Sequence, residues 1–386
     1  MKAVEFGAGN IGRAFIAPLL FESGFETTFV DINQTLVDEI KRRHEYAVRY
    51  VSASGVREVL VKDVDAVHFS DTEALTQKLV EADLITTAVG ENQLKFVAEP
   101  LATGLNERIR RRPNDMPHVV VIACENVLGN TAMLKQLVLE HSPEDKRGQI
   151  ENVISWPNSV VDIVVPNVSE KDRKDDPLLV IAEDYSLLAV DSNGLNGPMP
   201  EVNGVRLTGR LDIAAHQKLF TFNGPHCVIA YEGYPRGYRY IPEAIEDPII
   251  GDLIRGIIKE VNQVITGMHP EVSEDEQEQF GNKTLERFKN RYLLDEITRV
   301  GREPIRKLQP DNRLVYPARE LIDNGGIPIY HAVGMAAAYQ MYNYSGDQQA
   351  VELSGLVRDR GIEYAMLHVS GLRPDNDLAR MIKATI

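Results

Sequence analysis

The sequence predicts an α/β protein: an N-terminal Rossmann-type doubly wound sheet followed by a mostly α-helical C-terminal domain. Three observations predict it. A short apolar strand, residues 1–6, runs straight into Gly7-Ala8-Gly9-Asn10-Ile11-Gly12 and then into an amphipathic helical pattern. Strand-like and helix-like runs then alternate, which is the pattern of a parallel sheet with crossover helices. After Asp212 the pattern is helical almost throughout. A chain of 386 residues is too long for one ordinary core. We place the two domains at residues 1–203 and 204–386.

The elements justify this in order. Ile11, Phe15, Leu19 and Leu20 form one face of the first helix, and Glu26–Val30 is a second run of β-formers. Glu45–Val51 and Val56–Val61 flank Ser54-Gly55 and read as a hairpin insertion. Ala66–Phe69, Leu84–Val89 and Val119–Ala123 read as further strands, with helices over 72–80 (capped by Asp71), 92–111 and 128–140. Ser169–Asp176 reads as a charged loop, and Leu178–Asp191 alternates like an antiparallel pair. Asn193 to Pro198 is dense in turn residues. Helices are expected over 212–231, 249–266, 274–287, 333–343 and 348–370.

Composition excludes several classes. The formal charge is −15, which gives the chain as a whole little reason to seek nucleic acid or an anionic membrane surface. Two cysteines, Cys124 and Cys227, make no disulfide framework and suit a reducing cytoplasm. No apolar run approaches the length of a membrane span, and the first residues do not read as a targeting peptide.

The spacing Gly7-x-Gly9-x-x-Gly12 has a physical reason at each glycine. The first allows the tight turn, the second lets the backbone approach a pyrophosphate, and the third lets helix and strand pack closely. The helix start supplies unpaired N–H groups to the phosphates. Asp31 ends the second strand, 19 residues after Gly12. Its carboxylate suits the adenosine ribose hydroxyls and repels a 2′-phosphate, and neither Ile32 nor Asn33 supplies a cation. The expected cofactor is therefore NAD rather than NADP. The plainer alternative is a glycine turn with a capping aspartate.

A dehydrogenase also needs a base for the alcohol proton and donors for the developing alkoxide. The richest segment runs from His216 to Cys227. On an ideal helix His226 lies roughly 80° from Lys218, and Asn223 roughly 140°, so one broad face carries all three. Gly224-Pro225 is expected to kink or end the helix there. A buried lysine beside a positively charged nicotinamide loses its proton more readily and becomes a competent base. Asn223 would donate to the substrate oxygen, and His226 would bind a neighbouring hydroxyl or orient the lysine. Out of context, the same residues also read as a solvated lysine, a cap and a core histidine.

From end to end the chain resembles the polyol-specific long-chain dehydrogenases. The resemblance is carried by Lys2–Arg13, by Phe29-Val30-Asp31-Ile32-Asn33, by Cys124-Glu125-Asn126 and by the Lys218, Asn223, His226 spacing. Arg299-Val300-Gly301-Arg302 with Arg306-Lys307-Leu308 resembles a block of the family's phosphate-using members. The resemblance implies Lys218 as general base, Asn126 and Asn223 on the carbonyl or alkoxide oxygen, and His226 on the substrate. It implies an active site between a Rossmann-type domain and a helical one, no metal, and a monomer. For the phosphate-using members it implies interconversion of D-mannitol 1-phosphate and D-fructose 6-phosphate with NAD.

Two positions depart from the family pattern. Ile163 stands where many members have an arginine after Asp162. Ala215 stands where mannitol 2-dehydrogenases carry a proton-relaying glutamate, which leaves the proton route from Lys218 open and favours the phosphate branch.

Residues 283–319 hold ten bases and five acids, a local surplus in an acidic chain. Arginine forks suit phosphate, and Arg302, Arg306 and Lys307 are close enough in sequence to converge on one. The alternative is a solvated face laced with salt bridges. Cys124, Cys227 and His226 lack the spacing of a metal site. Tyr234, Arg236, Tyr238, Arg239 and Tyr240 interleave aromatics with bases, but acids flank them. His331 reads as packed structure. Two other functions fit the same motifs: a dehydrogenase of a free polyol or hexuronate, and a sensor that binds NAD without turnover.

Overall fold

The structure is a computed structural model that describes residues 1–111, 118–168, 170–340 and 342–386. The chain divides into two compact units, residues 1–51 with 55–214, and residues 52–54 with 215–386.

The first unit is built on a six-stranded sheet. Its strands are β1 (Lys2–Phe6), β2 (Glu26–Asp31), β5 (Val64–His68), β6 (Leu84–Thr87), β7 (Val119–Ala123) and β8 (Ile154–Ser155). The spatial order is β5-β2-β1-β6-β7-β8, and every pairing is parallel. This is the doubly wound arrangement, with the direction of sheet growth reversing beside β1. β7 reads Val-Val-Val-Ile-Ala and is buried on both faces, as a central parallel strand must be. Val119, Val121 and Ala123 pack with Leu79, Leu101, Leu105 and Leu134 on one side. Val120 and Ile122 pack with Phe15, Ile16 and Leu20 on the other.

Between β2 and β5 the chain makes the expected hairpin, β3 (Glu45–Ser52) and β4 (Gly55–Lys62). The later strands depart from expectation. β10 (Val180–Glu183) joins β3 in parallel, whereas β11 (Leu187–Asp191) joins β9 (Ser159–Asp162) antiparallel and β12 (Val205–Thr208) in parallel. Residues 178–191 therefore feed two different sheets instead of pairing with each other. Alternation reports which side chains point inward but not which strand is the partner. The charged segment is also not a loop: Glu170–Asp175 is a short helix, and Ser169 lies outside the described residues.

The second unit is helical. Its longest helix, Pro248–Met268, packs against Gly224–Gly233, Glu274–Phe288, Val315–Asp323 and Ile329–Gln340. Asp247 caps it by accepting from the N–H groups of Ile249 and Ile250. Glu260, on that helix, accepts from the backbone N–H of Tyr330 and His331 and meets His331 Nδ1 at 2.6 Å. This buried pair fixes the start of Ile329–Gln340, which begins four residues earlier than expected; Met341 lies outside the described residues. The expected helix over 348–370 is two helices, Gln348–Arg360 and Ile362–Ser370, parted at Gly361 with φ +84°.

The helix does not end at Gly224-Pro225. Gln217–Asn223 forms a π-helical turn, closed by the Gly224 N–H bonding to Leu219 O, and the helix Gly224–Gly233 continues from it. Pro225 sits just after the π turn, within the continuous helical path.

The glycine turn shows why β1 and its helix must approach so closely. A Cβ on Gly12 would stand 2.1 Å from Gly7 O, inside backbone contact distance, and one on Gly7 would meet Ala88 O at 2.7 Å. Gly12→Ala is expected to lower stability by at least about 2 kcal/mol, read as the urea midpoint, and to weaken NADH binding in parallel. An unchanged midpoint would show that the turn has slack.

Candidate active site

The first unit supplies a dinucleotide cradle. Gly7 adopts φ +104° and donates its N–H to Val30 O at 2.8 Å, which turns the chain away from β1. Asp31 Oδ2 accepts from Ala8 N and Asp31 Oδ1 from Asn33 N, both at 2.8 Å. The carboxylate thus ties the glycine turn to the loop after β2, and each oxygen retains a lone pair for a ribose hydroxyl. A Cβ on Gly9 would meet nothing within 4 Å, so the backbone there faces open space. That is the cradle a pyrophosphate requires, with Asn10, Ile11 and Gly12 beginning the helical path beside it. The helix Gly12–Ile16 opens with a π turn, Ala17 N–H bonding to Gly12 O.

Two buried groups beneath the turn were not singled out from sequence. Arg13 donates from Nε to Ala8 O at 2.7 Å and from Nη1 to Leu178 O at 2.5 Å, strapping the turn to the segment before β10. Glu5, on β1, is fully buried and accepts from Thr86 Oγ1. Burial pushes its carboxyl well above the usual range, which favours the protonated form. An acid in an otherwise apolar strand was the available signal.

Asn126 follows β7 in the turn before the helix Asn130–Glu140. Its neighbour Glu125 is buried and accepts from Thr87 Oγ1 at 2.8 Å and Val89 N at 3.0 Å, which holds the ends of β6 and β7 together. Burial raises the Glu125 carboxyl and the Cys124 thiol. Ile163 packs among apolar side chains where the family's arginine would stand.

In the second unit, Lys218 and Asn223 lie on the π turn and His226 on the helix that follows. A π turn bonds residue i to i+5, so positions five apart stack along the axis. Lys218 and Asn223 are five apart, and the turn draws them closer in azimuth than the ideal α-helical reading. All three are partly exposed. The His226 ring stacks against Phe288 with centroids 5.2 Å apart and tilts against Phe222 at 5.1 Å. Its Nε2 lies 3.1 Å from Asp295 Oδ2. Burial pushes the His226 imidazole below its ordinary value in spite of that carboxylate, so the ring is neutral at pH 7. Asp295 is 2 % exposed, and Arg299 Nη2 meets its Oδ1 at 2.6 Å. Burial raises the Asp295 carboxyl, but His226 and Arg299 outweigh it and hold it below the usual carboxylate range. In sequence Asp295 stands out only as an acid in a basic block.

The three expected phosphate cations differ in placement. Arg302 is exposed, with Nε donating to Arg299 O at 3.3 Å. Arg306 Nη2 pairs with Glu303 Oε2 at 2.6 Å on the surface. Lys307 is buried, its Nζ donating to Val300 O at 2.5 Å. Burial lowers Lys307 from an ordinary 10.5 to about 7.

Other candidates resolve within the packing. Arg236 pairs with Glu232, and Tyr234 packs edge-on against Tyr342. Among the described residues, no group of three or more His, Cys, Asp or Glu is placed to hold a metal. No described helix is long and apolar enough to cross a membrane.

Fold and site together define a dinucleotide-binding oxidoreductase framework, and comparison with known proteins gives it a family. Residues 1–204 match the mannitol dehydrogenase Rossmann domain and residues 212–370 the mannitol dehydrogenase C-terminal domain. The chain belongs to the mannitol dehydrogenase family. It is 38% identical over 382 residues to a mannitol-1-phosphate 5-dehydrogenase of Thermoanaerobacter pseudethanolicus, covering 99% of this chain and 96% of that one. It is 36% identical over 383 residues to that of Bacillus subtilis, covering 99% and 98%. In fold it is similar to a D-sorbitol dehydrogenase in substrate-free form, with TM-score 0.83 and 20% identity over 99% of this chain and 91% of the other. It is also similar to a Pseudomonas fluorescens mannitol 2-dehydrogenase in a complex with NAD and D-mannitol, with TM-score 0.76 and 19% identity over 100% and 91%.

The buried lysine yields a pH prediction. In the unfolded chain Lys307 holds its proton up to about 10.5, and in the folded chain it loses it near 7. Between these values the unfolded state binds more protons, so this group's penalty on stability is full below pH 7 and fades toward pH 10. Lys307→Met should therefore be more stable than the wild type by several kcal/mol at pH 6. Each pH unit between the folded and unfolded values contributes ~1.4 kcal/mol, less about 1 for the lost hydrogen bond. The gap should narrow as pH rises from 7 to 10 in urea melts. A gap that ignores pH would refute the buried, titrating lysine.

Proposed function

We propose that this protein catalyses the NAD-dependent interconversion D-mannitol 1-phosphate + NAD⁺ ⇌ D-fructose 6-phosphate + NADH + H⁺. The observation that carries the reading is the full-length identity to mannitol-1-phosphate 5-dehydrogenases. The cradle at Gly7, Ala8, Gly9, Asn10, Ile11 and Gly12 supports a dinucleotide, and Asp31 favours an unphosphorylated adenosine ribose.

NAD supplies the hydride acceptor when bound. Lys218, as a neutral amine, accepts the hydroxyl proton while the carbon-bound hydrogen departs as hydride. Asn223 and Asn126 donate amide N–H groups to the oxygen as it gains alkoxide character. His226, neutral, contacts a neighbouring hydroxyl. In the reverse direction the lysine returns the proton to the alkoxide. This chemistry is metal-free, since amine and amides together perform the base and oxyanion roles. Arg302 and Arg306, with Lys307 behind them, are the proposed phosphate cations. The chain is proposed to act in the cytoplasm as a monomer.

Three measurements test the reading. NADH oxidation should be at least about 100-fold more efficient with fructose 6-phosphate than with fructose, since a charge-paired phosphate contributes a few kcal/mol. Equal efficiency would transfer the chain to free polyols, and no turnover of either would favour a non-catalytic NAD sensor. Lys218→Ala should cost at least about 10²-fold in kcat, and full kcat would refute the mechanism. Arg302→Gln with Arg306→Gln should raise KM for fructose 6-phosphate with kcat little changed. An unchanged KM, also with Lys307→Met added, would move the phosphate site elsewhere.

A further inference from the structure

We infer that Asp295 is a positioning residue for the reaction, fixing the ring orientation and tautomer of His226. The inference rests on the proposed role of His226 at the substrate. Asp295 Oδ1 is taken by Arg299, through Nε at 2.7 Å and Nη2 at 2.6 Å. Its Oδ2 is buried, has no hydrogen-bond partner of good geometry, and has His226 Nε2 at 3.1 Å. A buried carboxylate oxygen left without a proton donor is costly, so the arrangement selects an Nε2–H on His226. The other nitrogen, Nδ1, is then a lone-pair acceptor. A substrate hydroxyl facing this ring meets an acceptor and donates to it, rather than competing for a proton.

The surroundings restrict the ring further. Phe288 and Phe222 flank it, and Arg287 lies over the far ring at 3.9 Å from the Phe222 centroid. The charged groups acting on His226 are Asp295, Arg299 and Lys307. Burial opposes a positive charge on the ring, with smaller contributions from Arg299 and Lys307, so the imidazole stays neutral and tautomer choice decides what it offers. Arg299 lies on the short helix Ile297–Val300 and Asp295 two residues before it, so one backbone feature places both groups.

The test is a double-mutant cycle on the full chain. Asp295→Asn keeps the shape and removes the charge. It should lower kcat/KM for mannitol 1-phosphate by about 10–100-fold, as loss of a partner behind an active imidazole commonly does. NADH binding should be unchanged, and Asp295→Glu should restore part of the loss. In a His226→Ala background the same Asp295→Asn change should cost less than about threefold. A full loss in that background, or no loss in the wild-type background, would overturn the inference. Should Asp295→Asn fail to fold, ¹⁵N-histidine NMR of the wild-type protein decides. The His226 resonance, assigned by its absence in His226→Ala, should report the Nε2–H tautomer at pH 7; an Nδ1–H tautomer or an imidazolium would overturn it. The NMR result stands even if no hexitol phosphate is turned over, so failure of the proposed function and failure of this inference are separable.

Discussion

The first unit depends on one close approach, the start of the Gly12–Ile16 turn against the carbonyl of Gly7. With the helix that near the strand end, its unpaired N–H groups open directly above β1. Everything around it sustains that geometry. Asp31 holds Ala8 and Asn33 in place, and Arg13 ties Ala8 O to Leu178 O. Glu5 stands beneath, its Oε1 3.0 Å from where a Gly12 Cβ would be. An ionised Glu5 would oppose any anion bound at the turn. Burial disfavours that charge by raising the carboxyl well above its usual range.

Burial also decides charge in the second unit, with opposite results at neighbouring groups. His226 and Lys307 are pushed toward their neutral forms, while Asp295 stays ionised because Arg299 and His226 oppose its desolvation. The π turn works at the backbone level. One wider turn keeps the helix continuous through Gly224-Pro225 and brings residues 218 and 223 into register. A simple α-helix would separate them in azimuth.

The alternation of elements up to β7, the close glycine turn and the position of Asp31 at the end of β2 were legible because each follows from local pattern. Val119–Ala123 has the bounds expected from its apolar run. The partner of β10 was not legible because it joins β3, more than a hundred residues earlier; β11 pairs with its near neighbours β9 and β12, but alternation does not name a partner. The π turn was hidden because propensities assume an i→i+4 ladder. Asp295 was hidden because its role depends on burial, and a sequence count sees only one acid among bases. Lys307 shows the converse. It belongs to the basic block by position, yet its side chain turns inward to Val300 O.

That block repays a closer physical reading. Lys289 pairs with Glu286, Arg291 with Glu246, Arg299 with Asp295 and Arg306 with Glu303. These pairs are not equivalent. Asp295 is buried, and separating it from Arg299 would strand a desolvated charge. The Arg306–Glu303 pair is 43% and 51% exposed at its side chains, where such a contact is worth little. A phosphate dianion offers a guanidinium more charge than one mobile carboxylate, with the same two-point geometry. On the proposed reading, Arg306 would leave Glu303 for a phosphate at small cost, and the exposed Arg302 would join it. The exposed pairs of this block are the ones that solvent already weakens, while the buried Asp295 and its partner Arg299 hold the frame.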